Sequence, residues 1–172
     1  MIDPDKCCIT HYPAKVLANE AKPIETIDDN IRQLVKKMTE IMLENKGIGL
    51  AGPQAGIDLR IFIISLTAKP EDLKVYINPV LETKGEMVAN EEGCLSVPNI
   101  YTKIKRYKEC TVTATDLDGN QFTDHADGLY ARCLQHEYDH LNGMTIANKM
   151  GQTAKIRFRR QLKKLEQNRS DK

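Results

Sequence analysis

The stretch Asp127-Gly128-Leu129-Tyr130-Ala131-Arg132-Cys133-Leu134-Gln135-His136-Glu137-Tyr138-Asp139-His140 decides how this chain is built. Leu129, Tyr130, Cys133, Leu134 and Glu137 recur at helical spacing, and Asn142-Gly143 supplies a stop, so the segment is predicted as an α-helix with one buried face. His136 and His140 are one turn apart on it, which sets their side chains about 40° apart in direction and roughly 6 Å apart in space. Two imidazoles so placed converge on one metal ion. Glu137 is angled to reach a water on that ion without having to ligate it, as a metal-dependent hydrolase requires. With only four His in the chain, an accidental pair flanking a Glu is uncommon. Asp139 points away from the His face, at about 100° per residue, and is expected to cap or salt-bridge near the helix end.

Outward from this helix the pattern alternates between strands and helices. Upstream, residues Thr102 to Ala114 alternate with period two, Asp118-Gly119-Asn120 is a turn, and Gln121-Phe122-Thr123 returns as a hairpin partner. Arg60–Ser65 and Lys74–Ile77 read as short strands, after which Asn78-Pro79 is expected to turn the chain into Val80-Leu81-Glu82. Ile27, Ile31, Leu34, Val35, Met38, Ile41 and Met42 form one face of an N-terminal helix, capped by Thr26 or Asp28 and closed by Gly47 in the left-handed conformation. Gly47–Gly56 is a small-residue loop whose four glycines cost backbone entropy, so close backbone approach is expected there. Residues through about Pro23 read as an irregular arm. A charged C-terminal helix over about 153–168 carries Ile156, Phe158, Leu162 and Leu165 as its apolar side. No linker or repeat divides residues 1–172, so one domain is expected. The fold class is α+β: antiparallel strands packed around a central metal-binding helix, with an N-terminal helix and a C-terminal helix.

Composition supports a folded chain. The 172 residues are 41% hydrophobic and 28% charged, far from the regime of disorder. A net charge of +1 does not advertise a DNA or membrane partner, no run reaches the apolar length of a membrane span, and Met1–Lys6 lacks the pattern of a secretory signal. Five Cys with no Cys-x-x-Cys spacing argue against a disulfide framework. A cytoplasmic monomer is the expectation.

A catalytic metal site takes three protein ligands and keeps one position open. No His follows His140, and Glu166, the only Glu there, lies in the charged tail. Cys94, in Glu91-Glu92-Gly93-Cys94-Leu95-Ser96-Val97-Pro98, is the better third ligand: its Gly and Pro neighbours suggest an irregular extended stretch beside the sheet. A lone Cys is more often a small buried hydrophobe, but the need for a third ligand reverses that preference. A thiolate with two imidazoles suits zinc or ferrous iron.

Three segments in order, Gly47-Ile48-Gly49-Leu50-Ala51-Gly52-Pro53-Gln54, Glu92-Gly93-Cys94-Leu95-Ser96 and Gln135-His136-Glu137-Tyr138-Asp139-His140-Leu141-Asn142-Gly143, resemble the signatures of the peptide deformylase family. His11-Tyr12-Pro13, Asn78-Pro79, Arg106, Asp116 with Gly119, and Asp127-Gly128-Leu129 extend the likeness over about residues 9–150. The resemblance implies hydrolysis of the N-formyl group from the initiator methionine of nascent polypeptides, with release of formate. It implies Cys94, His136 and His140 as ligands of one divalent ion, natively Fe2+ with Zn2+, Ni2+ or Co2+ able to substitute, and Glu137 as acid/base. It assigns donors to the developing oxyanion at the Gln54 amide and the Leu95 N–H, backbone pairing with the peptide to Gly49, and the methionine pocket to Ile48, Leu129 and Cys133. It also implies a Glu92–Arg106 ion pair steadying the Cys94 strand. Arg132 borders the pocket or faces solvent.

Two departures stand out. Gly52 replaces the family's usual Ala, which is expected to loosen the loop holding Gln54. Met144–Asn148 is less apolar than usual, which puts packing behind the active helix in question. The charged tail resembles that of the Gram-negative and organellar forms. Its Lys155, Arg157, Arg159, Arg160, Lys163 and Lys164 suggest a contact with ribosomal RNA, the plainer reading being a solvated helix. Two rival classes share the His-Glu pair. A metallopeptidase should carry a ligand after His140, and a structural metal protein should offer four ligands where three are evident.

Overall fold

The computed structural model describes residues 3–167. Helix α1 spans Asp29–Glu44; the Asp28 side chain accepts from the Ile31 N–H at 3.0 Å and so caps it, in preference to Thr26. Its buried face is Ile31, Leu34, Val35, Met38, Ile41 and Met42, six of the seven positions picked out by periodicity. The C-terminus differs from expectation. Lys46, not Gly47, takes the left-handed conformation, at φ 55°, while the Gly47 N–H donates to the Met42 carbonyl at 2.9 Å. Gly47 is instead needed for space, because a Cβ there would sit 3.0 Å from the Leu95 side chain.

Among the described residues five strands form one antiparallel sheet in sequence order: β1 Gly49–Ala51, β2 Ile61–Ile64, β3 Lys74–Cys94, β4 Val97–Thr115 and β5 Gln121–Asp127. The glycine-rich loop therefore contributes an edge strand, pairing Leu50 with Ile63. Asn78-Pro79 does not turn the chain. Asn78 at φ 49° bulges the strand between Ile77 and Val80, where Pro79 has no N–H to give, and β3 continues to Cys94. The Asn78 side chain closes on the Ile24 backbone, accepting from its N–H and donating to its carbonyl at 2.8 Å each, which pins the N-terminal arm. The stretch around Cys94 is likewise ordered, as the tip of the long β3–β4 hairpin. Cys94 pairs with Val97 across the turn Leu95-Ser96.

All four β2 residues are buried because helices cover both sides. Ile61 and Ile63 pack with Leu50, Ile77 and the apolar face of α1. Phe62 and Ile64 pack with Tyr76, Val112 and Ala114 against helix α2, Gly128–Leu141. A third cluster joins Val97, Ile100 and Ile104 of β4 to helix α3, Ile146–Lys149, and to Phe158 of helix α4, Gln152–Gln167. Helix α3 lies in the segment whose packing was in question. Asn148 Oδ1 accepts from the Thr145 N–H at 2.8 Å and hydroxyl at 2.9 Å, and Ile146 and Ala147 fill the core, so the polar departures close a helical turn. On α4, Phe158, Leu162 and Leu165 face the sheet. Ile156, two residues from Phe158 and thus on the opposite side, is 75% exposed. The expected end of α4 at Asn168 lies outside the described residues.

Candidate metal centre and cleft

Helix α2 is fixed before it presents any chemistry. Leu134 and Leu141 bury it against the sheet, and the Gln135 side chain bridges to β4, accepting from the Tyr107 N–H at 3.0 Å and donating to its carbonyl at 2.9 Å. His136 and His140 then face the hairpin tip. Their Nε2 atoms are 3.3 Å apart, Cys94 Sγ is 3.3 Å from His140 Nε2, and one donor atom from each of the three residues lies within 4.8 Å of the others. Sequence reasoning placed these residues together through coordination arithmetic; the hairpin turn delivers Cys94 to the helix face.

The donor set is conditioned by its surroundings. Burial would raise the Cys94 thiol, but His140 and His136 hold it well below the usual thiol range, so a thiolate is favoured. His136 is oriented through its other nitrogen, with Nδ1 3.0 Å from Glu92 Oε2; an Nδ1–H donated there leaves the Nε2 lone pair directed at the cluster. Glu92 is buried, which alone would raise its carboxyl, yet His136 and Arg106 hold it at about 2. Arg106 grips it with two nitrogens, Nε to Oε1 at 2.6 Å and Nη2 to Oε2 at 2.9 Å, and extends Nη1 to Asp139 Oδ2 at 2.7 Å. Asp139 also accepts from Lys149 at 2.7 Å, the salt-bridging role expected from its direction on the helix. His140 Nδ1 and Glu137 Oε2 are buried without a hydrogen-bond partner. The orphaned Glu137 oxygen beside a thiolate and two imidazoles fits a centre that takes a divalent ion and a water.

Glu137 packs against the chain of β1. A Cβ on Gly49 would fall 2.4 Å from Glu137 Oε1, so glycine is what lets the carboxyl lie on the strand. Burial pushes Glu137 up to about 7, against the pull of His136 and His140. Opposite it, Gln54 is buried with its amide fixed: Oε1 accepts from the Ala51 N–H at 2.7 Å, which turns Nε2 toward Cys94 Sγ at 3.4 Å. Gly52 is tightly enclosed, a Cβ there lying 2.7 Å from the Leu59 carbonyl oxygen, so the loop holding Gln54 is close-packed with glycine and not loosened by it.

Gln54, Glu92, Cys94, His136 and Glu137 line one cleft of 690 Å³. Ile48, Gly49, Leu95, Leu129 and Cys133 all border it; Leu129 is 57% exposed at its mouth, while Cys133 is buried and its thiol is pushed up to about 12 by burial. Arg132, left open by the sequence, also lines the cleft. Its Nη1 donates to Glu92 Oε1 at 2.6 Å and to the Ile104 carbonyl at 3.2 Å, and its Nη2 to the Val88 carbonyl at 3.2 Å. The i, i+4 relation of Arg132 to His136 was the available signal, since it places both on the face that meets Glu92. Glu166 is elsewhere, accepting from the Tyr12 hydroxyl at 3.3 Å.

Comparison with known proteins places this arrangement. The sequence profile described as polypeptide deformylase matches residues 7–155. The chain is 43% identical over 159 residues to a peptide deformylase of Chromobacterium violaceum, covering 92% of this chain and 95% of the relative. It is 41% identical over 157 residues to one of Pseudomonas aeruginosa, covering 91% and 94%. Among solved structures, peptide deformylase from Plasmodium falciparum superposes with a TM-score of 0.91 at 34% identity, covering 95% of this chain and 97% of that one. A plant peptide deformylase superposes with a TM-score of 0.93 at 31% identity, covering 99% and 94%.

Proposed function

Because this chain belongs to the polypeptide deformylase family, we propose a division of labour among its cleft residues for removing a formyl group from a peptide N-terminus. The protein is a metal-dependent deformylase, an amide hydrolase of that family. The observation that carries the assignment of roles is the convergence of Cys94, His136 and His140 within 4.8 Å beside the buried Glu137.

Cys94, His136 and His140 hold one divalent ion, with ferrous iron as the native occupant and Zn2+, Ni2+ or Co2+ as substitutes. When bound, the ion acts as a Lewis acid that makes water nucleophilic near neutral pH. Glu137, raised to about 7, is poised both to accept a proton at its carboxylate and to return it to the departing amine. The Gln54 Nε2–H, fixed by the Ala51 contact, and the Leu95 N–H donate to the formyl oxygen as negative charge grows on it. Gly49, on the edge strand, pairs with the peptide backbone and thereby lends affinity without reading side chains. Ile48, Leu129 and Cys133 receive the methionine side chain. Glu92 and Arg106 keep the ligands in place.

Formyl-methionyl nascent chains are the substrates, handled in the cytoplasm by a monomeric single domain over residues 1–172. Lys155, Arg157, Arg159, Arg160, Lys163 and Lys164 are all exposed on α4 and form its ribosome-facing side. Reversing those charges should abolish salt-dependent co-sedimentation with ribosomes; unchanged co-sedimentation across salt concentrations would remove that contact from the account. The deformylase assignment is tested by metal exchange without oxygen, since an iron-bound thiolate is prone to oxidation. Chelation should stop formate release from formyl-Met-Ala-Ser, and one equivalent of Fe2+ should restore it. Full release from protein verified to be metal-free would refute the assignment.

A further inference from the structure

The Glu92 carboxylate is met by four donors. Oε1 accepts from Arg106 Nε and from Arg132 Nη1, each at 2.6 Å; Oε2 accepts from Arg106 Nη2 at 2.9 Å and faces His136 Nδ1 at 3.0 Å. An ionised carboxylate has about four lone-pair sites, so Glu92 is saturated. Two of the four donors, Arg132 and His136, lie one turn apart on α2, and Glu92 comes from β3. The carboxylate thus spans a single turn of the helix and clips it to the strand that ends in Cys94.

Arg132 is anchored independently of Glu92. Its guanidinium reaches the Val88 carbonyl of β3 and the Ile104 carbonyl of β4, and the Asn90 side chain, with its amide oxygen turned inward, accepts from Nη2 at 2.9 Å. Only 12% of the side chain is exposed. Arg106 holds Glu92 through two nitrogens and gives its third to Asp139, and Arg132 adds the second donor on Oε1. A planar fork held by backbone carbonyls is a rigid donor that loses little further entropy on binding a carboxylate.

We propose that Arg132 is a positioning residue for the metal centre: it shares Glu92 Oε1 with Arg106, and through Glu92 it holds His136 with Nε2 facing Cys94 and His140. The inference rests on the reading of those three residues as ligands. Groups that orient a ligating histidine typically change metal affinity 10- to 100-fold when removed.

The test is Co2+ affinity of the purified full chain, measured by competition with a chelator and read by the thiolate-to-cobalt absorption. Arg132→Met should bind Co2+ at least about tenfold more weakly, with a shifted absorption band, and Arg132→Lys should recover part of the loss. Arg132→Gln, uncharged but polar, is read alongside and replaces the Met variant if that one does not fold. A purely structural arginine would lower the melting temperature of the metal-free protein and leave affinity alone. Affinity within twofold of the parent in folded Met or Gln variants therefore overturns the proposal. Failure of the parent protein itself to bind one equivalent of Co2+ would instead overturn the ligand reading on which it stands.

Discussion

Replacing Gly49 with Ala places one methyl group against the Glu137 carboxyl, the group proposed to move protons. The new Cβ would lie 2.4 Å from Glu137 Oε1, 2.9 Å from Cδ and 3.1 Å from Cγ. Ordinary contact begins at 3.4 Å, so the carboxyl must withdraw by about 1 Å, a displacement that costs on the order of 10²-fold in rate when it befalls a reacting group. A side-chain tip yields more readily than backbone, so stability should fall by only about 1 kcal/mol. The substitution leaves the N–H and carbonyl of position 49 intact and touches none of the three ligand residues. Metal content should therefore match the parent and KM should change much less than kcat. The assay is anaerobic formate release by iron-loaded protein over a range of formyl-Met-Ala-Ser concentrations, with Gly151→Ala as the control because nothing lies within 4 Å of a Cβ there. A kcat within threefold of the parent at full metal occupancy would refute the claim that Gly49 exists to seat Glu137.

Gly52→Ala should destabilise by about 1–3 kcal/mol because its Cβ meets the Leu59 carbonyl oxygen at 2.7 Å; urea unfolding reads this, and an unchanged midpoint would contradict it. Arg106→Met removes two donors from the buried Glu92 and one from the half-buried Asp139 and should cost about 3 kcal/mol in the same assay. Burial alone would raise the Asp124 carboxyl, but hydrogen bonds from Tyr130 at 2.7 Å, Tyr76 at 2.8 Å and Lys74 at 3.1 Å hold it below its usual value. Its folded value lies under the unfolded one of about 3.9, so the stabilisation is complete above that pH and is lost as pH falls through the lower folded value. Asp124→Asn should therefore destabilise at pH 6 by about 1–2 kcal/mol and progressively less on acidification below about pH 4; an equal cost at both ends would refute the linkage.

Much of this architecture was legible because local rules and global packing agree. The six buried positions of α1 follow from periodicity, and His136, Glu137 and His140 share their neighbourhood by helical geometry alone. What escaped depended on partners distant in sequence. Asn78-Pro79 carries turn chemistry, yet the Arg60 carbonyl and the Ile24 backbone hold it as a bulge within a continuing strand. Gly47 looked like the left-handed residue of the helix end, but crowding by Leu95 assigns it to close approach and leaves Lys46 to adopt positive φ. Ile156 matched an apolar stripe only by hydrophobicity; its angular position relative to Phe158 puts it in solvent. Arg132 and Asp139 are charged residues on a half-buried helix, and which partners they meet is decided by β3 and β4, far away in the chain, and for Asp139 also by the nearer Lys149.

The most direct test of the central claim is single-turnover formate release by the iron-loaded protein beside an equally loaded Glu137→Ala variant. The expected result is rapid release by the parent and a loss of about 10²- to 10⁴-fold or more in the variant at unchanged metal content. A variant that releases formate at the parental rate, or a fully loaded parent that releases none, would contradict the account.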